Sequence, residues 1–249
     1  MSATFTLART EARLLTREWA TMIFAFVFPP LTMLIVAGSF GSDPDEAFNH
    51  LAPDQFYVAG YFAIPIAAMA LIGLPMALAA YRERGVLRRF QAFGVPGSSV
   101  IGTQSLVAAG LIAIGSALVL AVALPTYGIP GVERPLELLV GFVTGTATML
   151  LLGTACGLTI GSARGAQAFG LLLFFPMFLL SGGGPPPDVM PAVMRRLSDV
   201  LPLTHVVGAI RDPWLDDGSI VLHLVGLAVW AVVGTAGTIV GLRRLNRSA

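Results

Sequence analysis

Lysine is absent from this sequence, in which all fifteen basic residues are arginines. A Walker A loop needs a lysine to reach the nucleotide phosphates, so the chain cannot form a standard ATPase site by itself. Lysine Schiff bases and Ser–Lys catalytic dyads are excluded for the same reason.

Charge is also scarce, at 12% of the residues, where soluble domains usually carry about 25%. Hydrophobic residues make up 55% of the chain and its mean hydropathy is +0.81. The net charge of +1 provides no field that would attract a nucleic acid, and none is expected as a partner. This composition is typical of an integral membrane protein.

Metal-ligating and nucleophilic patterns are missing as well. The single cysteine, Cys156, cannot form an intrachain disulfide. The histidines His50, His205 and His223 are isolated in sequence, with no H-x-x-x-H pair for zinc and no G-x-S-x-G elbow. We therefore predict no metal site and no catalytic residue, and we interpret His223 as an interface or packing residue.

Long apolar runs are abundant. A helix needs about 20 apolar residues to cross a bilayer. Six segments satisfy this requirement, and the middles of their spans contain no ionisable group, which argues against a proton-coupled carrier. The segments are Trp19–Phe40, Tyr57–Ala80, Val100–Tyr127, Leu136–Ile160, Gln167–Gly182 and Ile220–Leu242.

The arginines divide unequally between the two sides of these six spans. Four lie on one side: Arg134, Arg195, Arg196 and Arg211. The other eleven share a side with both termini, which predicts a multi-pass protein of the cell membrane with both termini in the cytoplasm. They are Arg9, Arg13, Arg17, Arg82, Arg84, Arg88, Arg89, Arg164, Arg243, Arg244 and Arg247.

Residues 1–18 precede the first span and carry arginines at four-residue spacing, at Arg9, Arg13 and Arg17. With Trp19 as an anchor, this pattern predicts an amphipathic helix in the headgroup layer. A plain positively charged flank is the alternative.

The cytoplasmic connector 81–97 concentrates charge between two apolar runs. In a helix, Val86, Phe90 and Phe93 form an apolar stripe, so the segment predicts a short amphipathic helix that continues from the second span. Such a helix suits a groove on a soluble partner. A charge cluster that only fixes membrane orientation explains these residues equally well.

Residues 183–218 lie outside by the arginine distribution yet are rich in apolar side chains. Two short helices are predicted, roughly Pro187–Leu197 and Thr204–Arg211, separated near Pro202. An external segment this apolar is expected to dip back into the bilayer or to cap a cavity. A flat external cap is the alternative.

Two stretches resemble the ABC type-2 exporter permeases. Tyr81-Arg82-Glu83-Arg84-Gly85-Val86-Leu87-Arg88-Arg89-Phe90, followed by Gly94-Val95-Pro96, is similar to their E-R-G-T-L-x-R-L-x-x-x-P-V segment, with Val86 in place of the usual Thr. The more specific match runs through Phe175-Pro176, Ser181-Gly182, Pro187 to Pro191, and Leu201-Pro202-Leu203-Thr204 to Arg211. Drug exporters of the daunorubicin-resistance type are the nearest subgroup.

The resemblance implies an all-α permease of six transmembrane helices, formed as a single domain over residues 1–249. It would pair with a second permease subunit, identical or related, and with two ATP-binding subunits that hold the ATP and magnesium; this chain would bind no cofactor. The coupling residues on the ATPase would be Arg82, Glu83, Arg84, Gly85, Leu87, Arg88, Arg89, Phe90 and Phe93. A re-entrant outer gate would include Pro176, Ser181, Gly182, Pro187, Pro191, Pro202, Thr204 and Arg211.

The predicted function is therefore an export path through the lipid bilayer for a hydrophobic or amphipathic drug, antibiotic or lipid. A membrane scaffold or immunity protein that recruits a partner through the same connector is one alternative. An intramembrane enzyme is the other, although it would need facing polar pairs within the spans, which the sequence does not contain.

Overall fold

The computed structural model describes residues 18–94, 96–128, 131–186 and 189–247. The predicted interfacial helix, with Arg9, Arg13 and Arg17, lies outside these ranges, as does Pro187 of the predicted gate. The described residues form helices and connecting turns, without β-strands.

In the described part of the chain, six helices are long and apolar enough to cross a membrane, which confirms the predicted number of spans. They are α1 (Trp19–Gly38), α2 (Pro53–Tyr61, Ile64–Ala68, the π-helical turn Met69–Gly73 and Leu74–Glu83, in succession), α4 (Gly97–Tyr127), α5 (Pro135–Thr159), α6 (Ala163–Phe178, continued by the π-helical turn Leu179–Gly183) and α9 (Ile220–Arg247). Within the same described ranges, three shorter α-helices connect them: α3 (Val86–Ala92), α7 (Ala192–Val200) and α8 (Pro202–Leu215). A 3-10 turn, Glu46–Phe48, lies between α1 and α2.

Several helix starts follow from local sequence. Pro53, Pro135 and Pro202 occupy the first turns of α2, α5 and α8, where the missing N–H costs nothing. Ser162 caps α6, because its hydroxyl accepts a 3.1 Å hydrogen bond from the Gly165 N–H.

The second span, α2, is the central helix of the bundle. In its most apolar stretch 89% of the residues are buried, against 17% for α9. Two neighbours approach its π-helical turn closely, because Gly153 of α5 faces the Ala70 carbonyl and Gly170 of α6 faces the Leu71 carbonyl. A Cβ at either glycine would overlap the carbonyl oxygen, so these glycines permit the contact of α5 and α6 with α2.

The helices α7 and α8 form a hairpin against α9. The His205 ring of α8 lies over Gly226 of α9, and the His223 ring of α9 lies over Gly208 of α8. Because the later residue of α8 meets the earlier residue of α9, the two helices run antiparallel. At the turn between α7 and α8, the Trp230 indole N–H donates a 2.9 Å hydrogen bond to the Val200 carbonyl. The end of the bundle at which this hairpin lies is called the α8 end. The opposite end, at which α3 lies, is called the α3 end.

Some predicted boundaries differ from the structure. The second span was predicted to begin at Tyr57, but α2 begins at Pro53. The hairpin helices are Ala192–Val200 and Pro202–Leu215, rather than Pro187–Leu197 and Thr204–Arg211. The connector helix does not continue from the second span, because Gly85, at φ +67°, separates α2 from α3.

Candidate functional site

The site at the α3 end is formed by α3 and the last turn of α2. The helix packs against α2 and α4, and Leu87 is its anchor, with 2% of its surface exposed. Val86 and Phe90 are half-buried, whereas Phe93, just beyond the last turn, is 86% exposed. The predicted apolar stripe therefore faces mainly inward, and Phe93 is the aromatic group that projects from it.

Two of the predicted coupling residues turn towards the protein instead of outward. The Arg82 guanidinium donates hydrogen bonds to the carbonyls of Gly157 (3.3 Å) and Ile160 (3.0 Å) at the C-terminus of α5. The Glu83 carboxylate accepts a 3.0 Å hydrogen bond from the Ala163 N–H at the start of α6. A cation at a helix C-terminus and an anion at an N-terminus both complement the helix dipole. The end of α2 is thus fastened to the α5–α6 turn, residues 160–162.

Two other arginines of this segment lie at the surface. Arg84 and Arg89 are exposed on either side of Leu87. Arg88 belongs to α3, and its side chain lies outside the described part of the segment. Arg84, Arg89 and Phe93 form the surface that a partner at the α3 end could contact, and we call these three residues the docking surface.

The hairpin at the α8 end is held by hydroxyl groups. The Ser181 and Thr204 hydroxyls lie 2.8 Å apart, and the Ser198 hydroxyl donates a 2.7 Å hydrogen bond to the Leu180 carbonyl. Predicted gate residues Ser181 and Thr204 are therefore brought together, although 23 positions separate them. Sequence reasoning missed Ser198, which joins α7 to the end of α6.

Glycines at the end of α6 let this chain segment meet α2. Gly182 has φ +120°, a conformation that residues with a side chain rarely adopt. The carbonyls of Gly183 and Gly184 accept hydrogen bonds from the hydroxyls of Tyr61 (3.0 Å) and Tyr57 (3.1 Å). The predicted gate residue Gly182 thus ends the helix that begins at Ala163 and contains Pro176. Pro191 and Pro202 lie at the starts of α7 and α8.

A buried ionic cluster ties the hairpin to its neighbours. Asp212 is 6% exposed, and its carboxylate lies 3.3 Å from the Arg211 guanidinium and 2.9 Å from His223 Nε2. Arg211, another predicted gate residue, stacks over the Phe56 ring of α2 at 4.4 Å. Arg134 donates a 3.0 Å hydrogen bond to the Asp212 carbonyl.

Sequence reasoning missed this cluster. Asp212 was not singled out, and His223 was interpreted as an interface or packing residue, although its hydrogen bond to Asp212 shows a second role. The His205 ring lies 5.8 Å from the His223 ring.

Among the described residues, no group of three or more His, Cys, Asp or Glu side chains could hold a metal ion. At the α3 end, the end of α2 is fastened to the α5–α6 turn. At the α8 end, hydroxyl groups hold the α7–α8 hairpin, and apolar spans separate the two ends.

Comparison with known proteins decides the family. The sequence matches the ABC-2 type transporter family over residues 2–213, most of the chain. The chain belongs to the ABC-2 type transporter family. Nodulation protein J of Sinorhizobium fredii (strain NBRC 101917 / NGR234) is 29% identical over 142 residues, which are 55% of this chain and 52% of that protein. The chain spans about half the length of this curated relative. Membership confirms the predicted resemblance and a multi-pass permease of an ABC transporter.

Proposed function

We propose that this ABC-2 permease forms the export path for a hydrophobic or amphipathic compound and is driven by separate ATP-hydrolysing subunits. The arrangement of the residues at the α3 end is the observation that carries the proposal. Leu87 anchors α3 against α2 and α4, and Arg84, Arg89 and Phe93 are exposed around it, while Arg82 and Glu83 fasten the preceding end of α2 to the α5–α6 turn. Movement of α3 would therefore be transmitted to α2, α5 and α6 together.

The proposed assembly has two ATP-binding subunits and a second permease subunit, identical or related. Residues 1–249 would act as one domain, with residues 1–18 as an interfacial helix that carries Arg9, Arg13 and Arg17 and is followed by its anchor, Trp19. Trp19 is 75% exposed, as expected of an interfacial anchor. ATP and magnesium would be held by the partner, because this chain has no lysine for a Walker A loop.

The orientation follows from charge. Eleven of the fifteen arginines lie with the termini and the α3 end, which supports a cytoplasmic location of that end in the cell membrane. The docking surface would then face the compartment in which ATP is available.

The α7–α8 hairpin is proposed as a re-entrant outer gate. Val200 lies beside Trp230, ten positions into α9, so the hairpin turn lies roughly 15 Å along that helix. Hydrogen bonds of Ser181, Ser198 and Thr204 would hold it closed, and Arg211 and Asp212 would fix its outer part.

The passenger would be a drug, an antibiotic or a lipid. Six apolar spans suit a passenger with an apolar portion, although a bilayer demands apolar spans in any membrane protein. Export, rather than import, is proposed from the family resemblance.

Capture of the ATP-binding subunit tests the proposal. The permease is co-expressed with a candidate ATPase encoded next to it, purified through a tag on the permease, and the captured ATPase is quantified. Arg84→Glu combined with Arg89→Glu and Phe93→Ala is expected to reduce capture at least tenfold, because the docking surface reverses charge and loses its aromatic anchor. Arg195→Glu with Arg196→Glu, a matched reversal at the α8 end, should leave capture unchanged. Equal capture by both variants would contradict docking at the α3 end.

A further inference from the structure

Helices α8 and α9 meet through two reciprocal histidine–glycine contacts. The His205 ring of α8 occupies the space that a side chain would fill at Gly226, and the His223 ring of α9 does the same at Gly208. A Cβ at either glycine would overlap the facing ring, so the contact depends on both glycines. The centroids of the two rings are 5.8 Å apart. Two imidazoles therefore lie side by side between the helices.

One nitrogen of each ring is buried. Among the described residues, Nδ1 of His205 and Nδ1 of His223 have no hydrogen-bond partner. A neutral imidazole can leave only a lone pair at this position, whereas an imidazolium carries an N–H on both of its nitrogens. A buried N–H group without an acceptor is costly. The contact between α8 and α9 consequently favours neutral rings.

The charged groups beside the two rings differ. His223 Nε2 lies 2.9 Å from the Asp212 carboxylate, which is also 3.3 Å from the Arg211 guanidinium. Asp212 therefore attracts a first proton to His223. Asp199, at the end of α7, acts on His205 electrostatically, but its carboxylate is exposed and the surrounding water weakens its attraction.

The elements packed against α8 carry further ionisable side chains. Among the described residues, however, His223 and Asp199 are the charged groups that act on His205. Arg134 is bound to the Asp212 carbonyl and to the Glu137 carboxylate. The further ionisable groups are Arg134 and Glu137 at the start of α5, Asp54, Tyr57 and Tyr61 on α2, and Arg195 and Arg196 on α7.

We propose that His205 and His223 form a proton-binding site that opens the α7–α8 hairpin in acid. The first proton goes to His223 and strengthens its pair with Asp212, so the hairpin stays closed. A second proton, on His205, places two positive charges side by side on rings whose Nδ1 atoms are buried. Movement of the hairpin turn away from α9 separates these charges and hydrates His205. The open form thus binds more protons than the closed form, and a fall in pH favours it.

This regulation rests on the proposed role of the hairpin as the outer gate. In the proposed orientation the protons come from outside the cell, so an acidic exterior would release the gate. Histidine is the side chain that ordinarily changes its charge between about pH 8 and pH 5, and the response is expected in that range.

Distances between spin labels, measured by double electron–electron resonance on the full permease in lipid nanodiscs, test the site. Cys156 is the single cysteine, so Cys156→Ser provides a thiol-free background. Leu197→Cys on α7 and Val240→Cys on α9, both at exposed positions, carry the labels. Labelling is completed at pH 7.5, and the protein is then brought to pH 7.5 or to pH 5.0 before freezing. Val221→Cys with Val240→Cys, about 28 Å apart within α9, is the control pair.

Acid is expected to add a second distance between the labels on α7 and α9. This distance should differ from the first by roughly one helical turn, about 5 Å, or more. Its share of the population should rise at least about threefold between pH 7.5 and pH 5.0. The control pair should give one distance at both pH values. An α7–α9 distribution that is the same at both pH values overturns the proposal.

Replacement of either ring should abolish the response, because two protons are required. His205→Gln cannot become charged. His223→Gln cannot either, although its amide can still donate a hydrogen bond to Asp212. His50→Asn, at the third histidine, should keep the full response, because His50 is exposed in the connector before α2 and asparagine tolerates its φ of +62°. A response that survives in either glutamine variant overturns the two-proton site.

Capture of the ATPase, carried out at pH 7.5, separates this inference from the proposed function. If the docking-surface variant leaves capture unchanged while acid still moves the hairpin, docking at the α3 end is contradicted and the proton site stands. If capture falls as expected and acid does not move the hairpin, the proton site alone is wrong.

Discussion

The Glu83 carboxylate accepts a hydrogen bond of 3.0 Å from the Ala163 N–H, across 80 positions of sequence. It joins the cytoplasmic end of the central helix, in the proposed orientation, to the first turn of α6. Arg82, the preceding residue, contacts the last carbonyls of α5. Adjacent side chains of opposite charge thus bind the ends of two successive spans.

Glu83→Ala should uncouple the permease without releasing its partner. The substitution removes an acceptor from the start of α6, which we expect to cost about 1 kcal/mol and to loosen the link to α2. ATPase capture should stay within twofold of the wild type, whereas transport per ATP hydrolysed should fall severalfold in vesicles.

Glu83→Gln is the matched variant, because its amide oxygen can still accept the hydrogen bond. It should retain most of the coupling. If Glu83→Ala abolished capture and Arg84→Glu did not, Glu83 itself would be a docking residue.

Gly85→Ala should disturb α3 through the backbone alone. Gly85 has φ +67°, and a Cβ there would meet no atom within 4 Å, so the penalty is conformational. An L-residue in this conformation costs roughly 1–2 kcal/mol. If α3 must keep its present direction to bind the ATPase, the Kd of the complex should rise about fivefold or more.

Gly102→Ala, in an open position near the start of α4, is the control and should leave that Kd unchanged. Unchanged affinity in Gly85→Ala, measured by titration of the purified ATPase, would show that the direction of α3 does not limit docking.

The sequence predicts the spans well and the contacts between them poorly, for a physical reason. Hydropathy depends on composition along one helix, so all six spans are found. The inward turn of Arg82 and Glu83 depends on where α5 and α6 end in space, and a charge-rich connector has the same pattern whichever way its side chains point. The break at Gly85 is equally hidden, since glycine is tolerated inside a helix as well as at its end. His223 looks isolated along the chain but lies beside Asp212 once α8 folds back on α9.

Gly153→Ala should destabilise the bundle, since the added methyl group would overlap the Ala70 carbonyl and force α5 away from α2. Such overpacking typically costs 1–3 kcal/mol, so about that loss is expected. The apparent Tm in detergent, followed by loss of the monodisperse chromatographic peak, should fall by several degrees.

Gly110→Ala, exposed on α4 with no neighbour near its Cβ, should leave the Tm unchanged or raise it slightly, because alanine favours the helix. A similar fall in both variants would contradict the close approach of α5 to α2.

Asp212→Ala should release the hairpin. The carboxylate is 6% exposed and lies against both Arg211 and His223, so its removal leaves a buried guanidinium without its ion pair. Removing one partner of a buried charged pair is strongly destabilising, at roughly 3 kcal/mol or more. Trypsin should consequently cleave at Arg195 or Arg196 faster in Asp212→Ala than in the wild type.

Asp43→Asn, at an exposed connector residue, serves as the control and should be cleaved at the wild-type rate. Asp212→Asn should fall between the two, since its amide keeps a hydrogen bond to His223 but not the charge that faces Arg211. Equal cleavage of Asp212→Ala and the control would mean that the hydroxyl contacts of Ser181, Ser198 and Thr204 hold the hairpin without help from the ionic cluster.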